Sequence, residues 1–208
     1  MIKSNASKVN FMKSAIALSV AALILTACGK GGDKTAAVSA DGVEVKIGHV
    51  APLTGPIAHL GKENENGARL ALEEINKAGL TIDGKKVVLT LVPEDDAEDP
   101  KTATQVAQKL VDAKVVGVVG HLNSGTSIPA SKIYSDAGIT QVSPSSTNPD
   151  YTKQGFKTTY RLVATDAQQG PALGNYVANT LKAKTVAIID DSTQYGKGLA
   201  DEIGRAHV

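Results

Sequence analysis

Apolar and polar positions along the body of this chain switch repeatedly between a strand-like and a helix-like period. Val43 to Val50 (VEVKIGHV) alternates residue by residue and predicts a first strand, which runs into a turn at Ala51–Pro56 rich in proline and glycine. A helical spacing follows, with Ala68, Ala71, Leu72 and Ile75 on one face and a stop at Gly79. Lys86 to Val92 (KVVLTLV) predicts a second strand, and Asp95–Glu98 a solvated turn. Asp99-Pro100 then supplies an N-cap and first-turn pair for a helix that turns Ala103, Val106, Ala107, Leu110 and Val111 inward.

The next stretch, Val115 to Pro149, carries the densest pattern. Val115, Val116, Val118 and Val119 form an apolar, β-branched run of the kind buried on both faces of a parallel sheet. The turn Gly120–Asn123 leads to a hydroxyl-rich helix start, Ser124 to Ser127, and a helix with Ala130, Ile133, Tyr134 and Ala137 on one face and Gly138 closing it. A second buried strand, Ile139 to Ser143, ends in another hydroxyl cluster, Pro144 to Thr147. Beyond a short strand at Thr159–Val163, Asp166 to Leu181 reads as a helix with Leu173, Tyr176, Val177 and Leu181 on its apolar side. Thr185–Ile189 reads as a buried strand, followed by the turn Asp190–Gly196. Strands alternating with helices at this spacing predict a three-layer α/β fold with a parallel sheet. Both hydroxyl clusters fall at carboxyl ends of strands, where open α/β sheets bind small ligands. The second unit has a single strand before Val208, so the chain reads as the front part of a longer protein.

The N-terminus follows other rules. Lys3, Lys8 and Lys13 precede an uncharged run, Ser14 to Ala27, that ends at Cys28. This is the layout of an export signal, and the run is shorter than the about 20 apolar residues of a membrane span. Leu25-Thr26-Ala27-Cys28 resembles a bacterial lipobox, which makes Cys28 the expected lipid-bearing first mature residue. Small residues from Cys28 to position 42 read as a flexible tether. The domains expected are therefore a signal over 1–27, a tether over 28–42, a first lobe over 43–163 and the start of a second over 164–208.

Composition removes several function classes. Once Lys3, Lys8 and Lys13 are set aside from the 22 basic residues, the balance against 21 acidic ones is slightly negative. That offers no footprint for nucleic acid. Gly120 to Thr126 (GHLNSGT) lacks the lysine of a phosphate loop, and no dinucleotide fingerprint, nucleophile elbow or zinc motif occurs. No cofactor or metal site is expected. His121 reads as a structural residue, and Ser124 has no evident base to make it a nucleophile. Short hydroxyls with free N–H groups at a helix start suit a compact carboxylate, and Ser124, Thr126, Ser145 and Thr147 supply them. Capping of helices and turns would use the same residues.

Six segments together resemble the Leu/Ile/Val-binding family, type I periplasmic binding proteins of ABC importers. They are IGHVAPLTGPIAHLGKENENGARLALEEIN, DDAEDP, VVGVVGHLNSGTSIPAS, ITQVSPSSTNP, DAQQG and IIDDSTQYGKGLA, running in the family's order from about Val43 to about Ala200. The resemblance implies two Rossmann-like lobes that close on a ligand by a hinge motion. It places the hydroxyls of Ser124 and Thr147 on an amino-acid carboxylate, the Ser145 carbonyl on its ammonium, and Tyr195 across the cleft. Asn123 and Ser146 line the same turns, and Leu60 stands where relatives often have an aromatic. Glu98 and Asn123 correspond to a cysteine pair of some relatives. The acid that normally pairs with the ammonium lies beyond Val208. Gly204 to Val208 depart from the family's helix and read as a cloning or assembly scar. The implied role is an exported, lipid-anchored monomer that captures a small aliphatic amino acid for an inner-membrane ABC permease, without catalysis. A receptor's sensing module, an envelope hydrolase, and amide, urea or aromatic-acid ligands are the alternatives. One lobe alone is expected to bind ligand only weakly.

Overall fold

A computed structural model describes residues 42–205. The expected export signal with Cys28, the expected tether up to residue 41 and residues 206–208 lie outside them. The described residues form one six-stranded sheet in the order β2-β3-β1-β4-β5-β6. The strands are β1 (Val43–Ala51), β2 (Leu80–Ile82), β3 (Lys85–Asp95), β4 (Gly117–Gly120), β5 (Thr140–Ser143) and β6 (Thr159–Arg161). Neighbours run parallel except β2, which is antiparallel to β3. The helices are α1 (Ala58–Ala78), α2 (Pro100–Asp112), α3 (Ser124–Asp136), α4 (Asp150–Lys153), α5 (Asp166–Asn175) and α6 (Gln194–Arg205). The chain leaves β1 through α1 towards β3 and returns through α2 to β4, on the other side of β1. The strand order therefore reverses at β1 and β4, the switch point where such sheets open a crevice.

Packing follows the predicted faces for α2 and departs from them elsewhere. Val106, Ala107 and Leu110 of α2 join Val50, Val115, Val118, Ala130, Tyr134 and Ile139 in one core, and Ala103 of the same helix is also buried. Asp99 caps α2 by accepting the Thr102 N–H at 2.6 Å and its hydroxyl at 2.7 Å. On α1 the inward stripe is Gly61, Glu65, Ala68 and Leu72, while Ala71 and Ile75 are exposed. A carboxylate occupies this stripe because Lys62 (2.9 Å) and Arg69 (2.7 Å) donate to it. α3 buries Ala130 and Tyr134, half-buries Ile133 and exposes Ala137, and it also turns the hydroxyls of Thr126, Ser127 and Ser131 inward.

β3 is longer than its apolar run, because its parallel register with β1 continues to Asp95 opposite Ala51. β2 was not predicted, although Asp83-Gly84, both at positive φ, is the turn chemistry of a two-residue hairpin. β2 begins at the pairing of Leu80 with Val87, and the edge groups of Leu89 beyond it are taken by Asn76. Its amide donates to the Leu89 carbonyl and accepts the Leu89 N–H, each at 2.8 Å. Asn76→Ala should therefore cost about 1–2 kcal/mol in urea unfolding, as two edge groups lose their partners.

After β6 the pattern diverges from expectation. The predicted helix over Asp166–Leu181 ends at Asn175 and continues as a π-helical turn, Tyr176–Thr180. Leu173, Tyr176 and Leu181 face outward, and the buried face is Asp166, Gly170 and Gly174, with α6 packed against the helix. Thr185–Ile189 forms no strand, and Ile189 is 93% exposed. Among the described residues no strand lies beside it, and a strand without a hydrogen-bonded neighbour does not form. Gly204 and Arg205 continue α6, contrary to the expected break, with Arg205 reaching back one turn to Glu202.

Candidate ligand site

β4 ends at Gly120, whose φ of +138° and tight approach to the Val50 backbone leave no room for a side chain. The chain turns there into the fully buried His121. Its Nδ1 lies 2.8 Å from Asp96 Oδ2 and its Nε2 3.1 Å from the Tyr134 hydroxyl. The carboxylate offers only lone pairs, so Nδ1 donates to it, and Nε2 shares a hydrogen bond with the Tyr134 hydroxyl. Burial pushes the Tyr134 hydroxyl far above its ordinary range, which keeps it a donor. The His121 carbonyl accepts from Ser143 (2.7 Å) and Ser127 (3.1 Å), which fastens the β4–α3 turn to β5 and α3.

The acidic turn after β3 is not the solvated loop expected. Asp96 is fully buried. Asp95 accepts from the Leu53 N–H (2.8 Å), the Thr54 hydroxyl (2.6 Å) and the Ala97 N–H (2.8 Å). Burial pushes the Asp95 carboxyl up, but these hydrogen bonds outweigh it and hold the group below its ordinary range.

Asn123 stands at the N-cap of α3 and does not cap it. Its amide instead donates to Glu98 Oε1 at 3.1 Å, so this hydrogen bond joins the two turns. Burial, then the carboxylates of Asp191 and Asp96, push the Glu98 carboxyl above its ordinary range. Among the described residues nothing accepts from the N–H groups of Ser124 and Gly125. The Ser124 hydroxyl, 1% exposed, accepts the Asn148 N–H at 3.3 Å and keeps its own proton to give. Ser145 donates to the Leu122 carbonyl at 2.6 Å, and Ser146 and Ser127 share a hydrogen bond of 2.6 Å. The turns after β4 and β5 thus form one hydrogen-bonded body. The Ser145 carbonyl has no partner among the described residues, and the neighbour of the Thr147 hydroxyl is the Asp166 carboxyl.

Two cavities flank this body. Leu60 and Ser145 line one of about 640 Å³, together with Leu122, Pro144, Val119 and Leu72, and most of its wall is apolar. Asn123 and Tyr195 line the other, of about 530 Å³, with Glu98, Ile128, Pro129 and Asp191. Ser124 and Ser146 are buried between the turns. Thr147 lies beside the buried Asp166, whose N–H donates to the Thr147 carbonyl at 3.0 Å and whose carboxyl burial pushes up. The sequence-predicted residues therefore converge from both turns, with Leu60 and Tyr195 at opposite flanks. The buried Asp96–His121–Tyr134 chain was not foreseen, whereas the closeness of Asn123 and Glu98 agrees with their correspondence to a cysteine pair of some relatives. Only the acid-rich turn hinted at the buried chain.

Residues 44–207 match the family model for the periplasmic binding protein. The chain belongs to that family. Among its periplasmic binding protein relatives, the Leu/Ile/Val-binding protein homolog 1 of Brucella abortus is 44% identical over 159 residues, which is 76% of this chain and 42% of that one. An amino acid binding protein of Pseudomonas aeruginosa is 43% identical over 196 residues, covering 94% of this chain and 49% of that one. The chain thus spans less than half the length of these curated relatives. A solved structure of the branched-chain amino acid transporter substrate binding protein LivJ from Streptococcus pneumoniae, in complex with isoleucine, superposes with a TM-score of 0.72 at 34% identity, over 79% of this chain and 47% of that one. The fold is that of type I periplasmic binding proteins, with the sheet described above as one lobe.

Proposed function

We propose that this chain supplies the first jaw of an extracytoplasmic solute-binding protein that captures a small aliphatic amino acid for ABC-type import. The observation that carries the reading is the uncapped start of α3. There the free N–H groups of Ser124 and Gly125 and the Ser124 hydroxyl can receive a carboxylate at the dipole-positive end of the helix. The Thr147 hydroxyl joins them, the Ser145 carbonyl accepts the ammonium, and Asn123 and Ser146 line the turns. An aliphatic side chain enters the apolar cavity beside Leu60 and Leu122, and Tyr195 closes from the second lobe. The name of the Leu/Ile/Val-binding protein homolog and the isoleucine complex of the solved relative support the same ligand class.

Binding without catalysis fits the hydrogen bonding. Both ring nitrogens of His121 are taken by Asp96 and Tyr134, and the Ser124 hydroxyl meets a backbone N–H in place of a base. The signal and Cys28 would tether the protein by lipid to an envelope membrane, with the lobe in the periplasm beside an inner-membrane permease. Titration calorimetry with L-leucine, L-isoleucine, L-valine, urea and benzoate tests the ligand class. Saturable heat is expected for the three amino acids alone. Binding of urea or benzoate with no response to the amino acids would reassign the site.

A further inference from the structure

Arg161 closes β6, and its guanidinium reaches into the turn that follows β5. Nη1 donates to the carbonyls of Ser146 (2.7 Å) and Asn148 (2.9 Å), and Nη2 to the Thr152 hydroxyl (2.7 Å). The guanidinium also lies 5.4 Å from the ring centre of the fully buried Tyr151. The same short segment supplies two further donors. The Leu162 N–H holds the Ser143 carbonyl at 3.1 Å, and the Asp166 N–H holds that of Thr147 at 3.0 Å. Carbonyls 143, 146, 147 and 148 are thus all fixed by residues 161–166, and the Ser145 carbonyl is left free. With three successive carbonyls pinned from 146 to 148, the Ser145 carbonyl and the Thr147 side chain have little freedom to turn.

We infer that Arg161 is a positioning residue for the amino-acid site, orienting the Ser145 carbonyl towards an ammonium group without touching the ligand. The inference rests on the reading of that turn as part of an α-amino-acid site. It also ties ligand recognition to the segment that leads from β6 to α5, because the residues that carry the chain onward are the ones that hold the turn. A planar fork is needed for this, since one guanidinium serves three acceptors on two sides. A lysine ammonium, a point charge on a flexible stem, does not reproduce that geometry.

Two arms test the role in the 208-residue chain. In Arg161→Lys, amide exchange followed by NMR should accelerate about tenfold at residues 145–148 while the amides of α1 and α2 stay unchanged. Thr152→Val, which removes only the Nη2 acceptor, should act in the same direction and less. In the ligand arm, the preference for L-leucine over its α-hydroxy acid, which keeps the carboxylate and side chain but lacks the ammonium, should fall about tenfold in Arg161→Lys. Unchanged exchange at 145–148 overturns the role, as does acceleration spread evenly over the domain with equal loss of both ligands. If the unaltered protein binds neither ligand even at concentrations that would load the weak site expected of one lobe, the amino-acid reading fails, and the exchange arm alone upholds or overturns the orienting of the turn.

Discussion

Asp96→Ala should destabilise the domain by roughly 3–5 kcal/mol, the largest effect of any single truncation near the site. The carboxylate is fully buried and accepts from His121 Nδ1 at 2.8 Å and from the Glu98 N–H at 3.1 Å. Alanine strands both donors where water cannot reach them. The consequence extends beyond Asp96, because the His121 carbonyl is the acceptor for Ser143 and Ser127. A displaced imidazole would loosen the whole turn between β4 and α3. Asp96→Asn keeps an acceptor and should cost less. The chain has no tryptophan, so far-UV circular dichroism in urea is the suitable probe. A loss below about 1 kcal/mol would mean that His121 finds another partner and that the chain of buried hydrogen bonds does not hold the turn.

Ser124→Ala should weaken amino-acid binding by roughly 1–3 kcal/mol. The serine hydroxyl accepts the Asn148 N–H and keeps its proton for the ligand, so alanine removes one donor to the carboxylate and leaves a buried N–H unpaired. The free N–H groups of Ser124 and Gly125 survive the change, which is why binding should weaken and not vanish. Calorimetry of the variant against the unaltered protein measures the difference. Equal affinities would take Ser124 out of the site and leave its hydroxyl a structural cap.

Much of this arrangement is written in local pattern. Runs such as VVLTLV declare strands through their β-branched, apolar composition, and a hydroxyl cluster directly after such a run lies at the sheet's carboxyl edge. That is how Ser124, Ser145 and Thr147 were legible as neighbours before any coordinates. Asp99-Pro100 likewise announces a helix start through its own chemistry. What escapes local pattern is whatever depends on a distant partner. Asp95 and Asp96 look alike in sequence, and only His121, far along the chain, makes one of them buried. Glu65 breaks the apolar stripe of α1 because Lys62 and Arg69 neutralise it. Thr185–Ile189 has strand composition and still forms none, since a strand is a property of two segments. Arg161 leaves no trace because two of its three acceptors are backbone carbonyls, which every residue carries.

In the proposed function, the turns after β4 and β5 form a single receptor for an α-amino acid. Amide chemical-shift mapping of the 208-residue chain during titration with L-leucine tests it most directly. Concerted, saturable shifts are expected at Ser124 and Ser145–Thr147, with the amides of Glu98 and Asp191 unmoved; Gly125 also lines the Glu98–Pro129 cavity and does not distinguish the two outcomes. Shifts centred on the Glu98–Pro129 cavity, with the two turns silent, would contradict it.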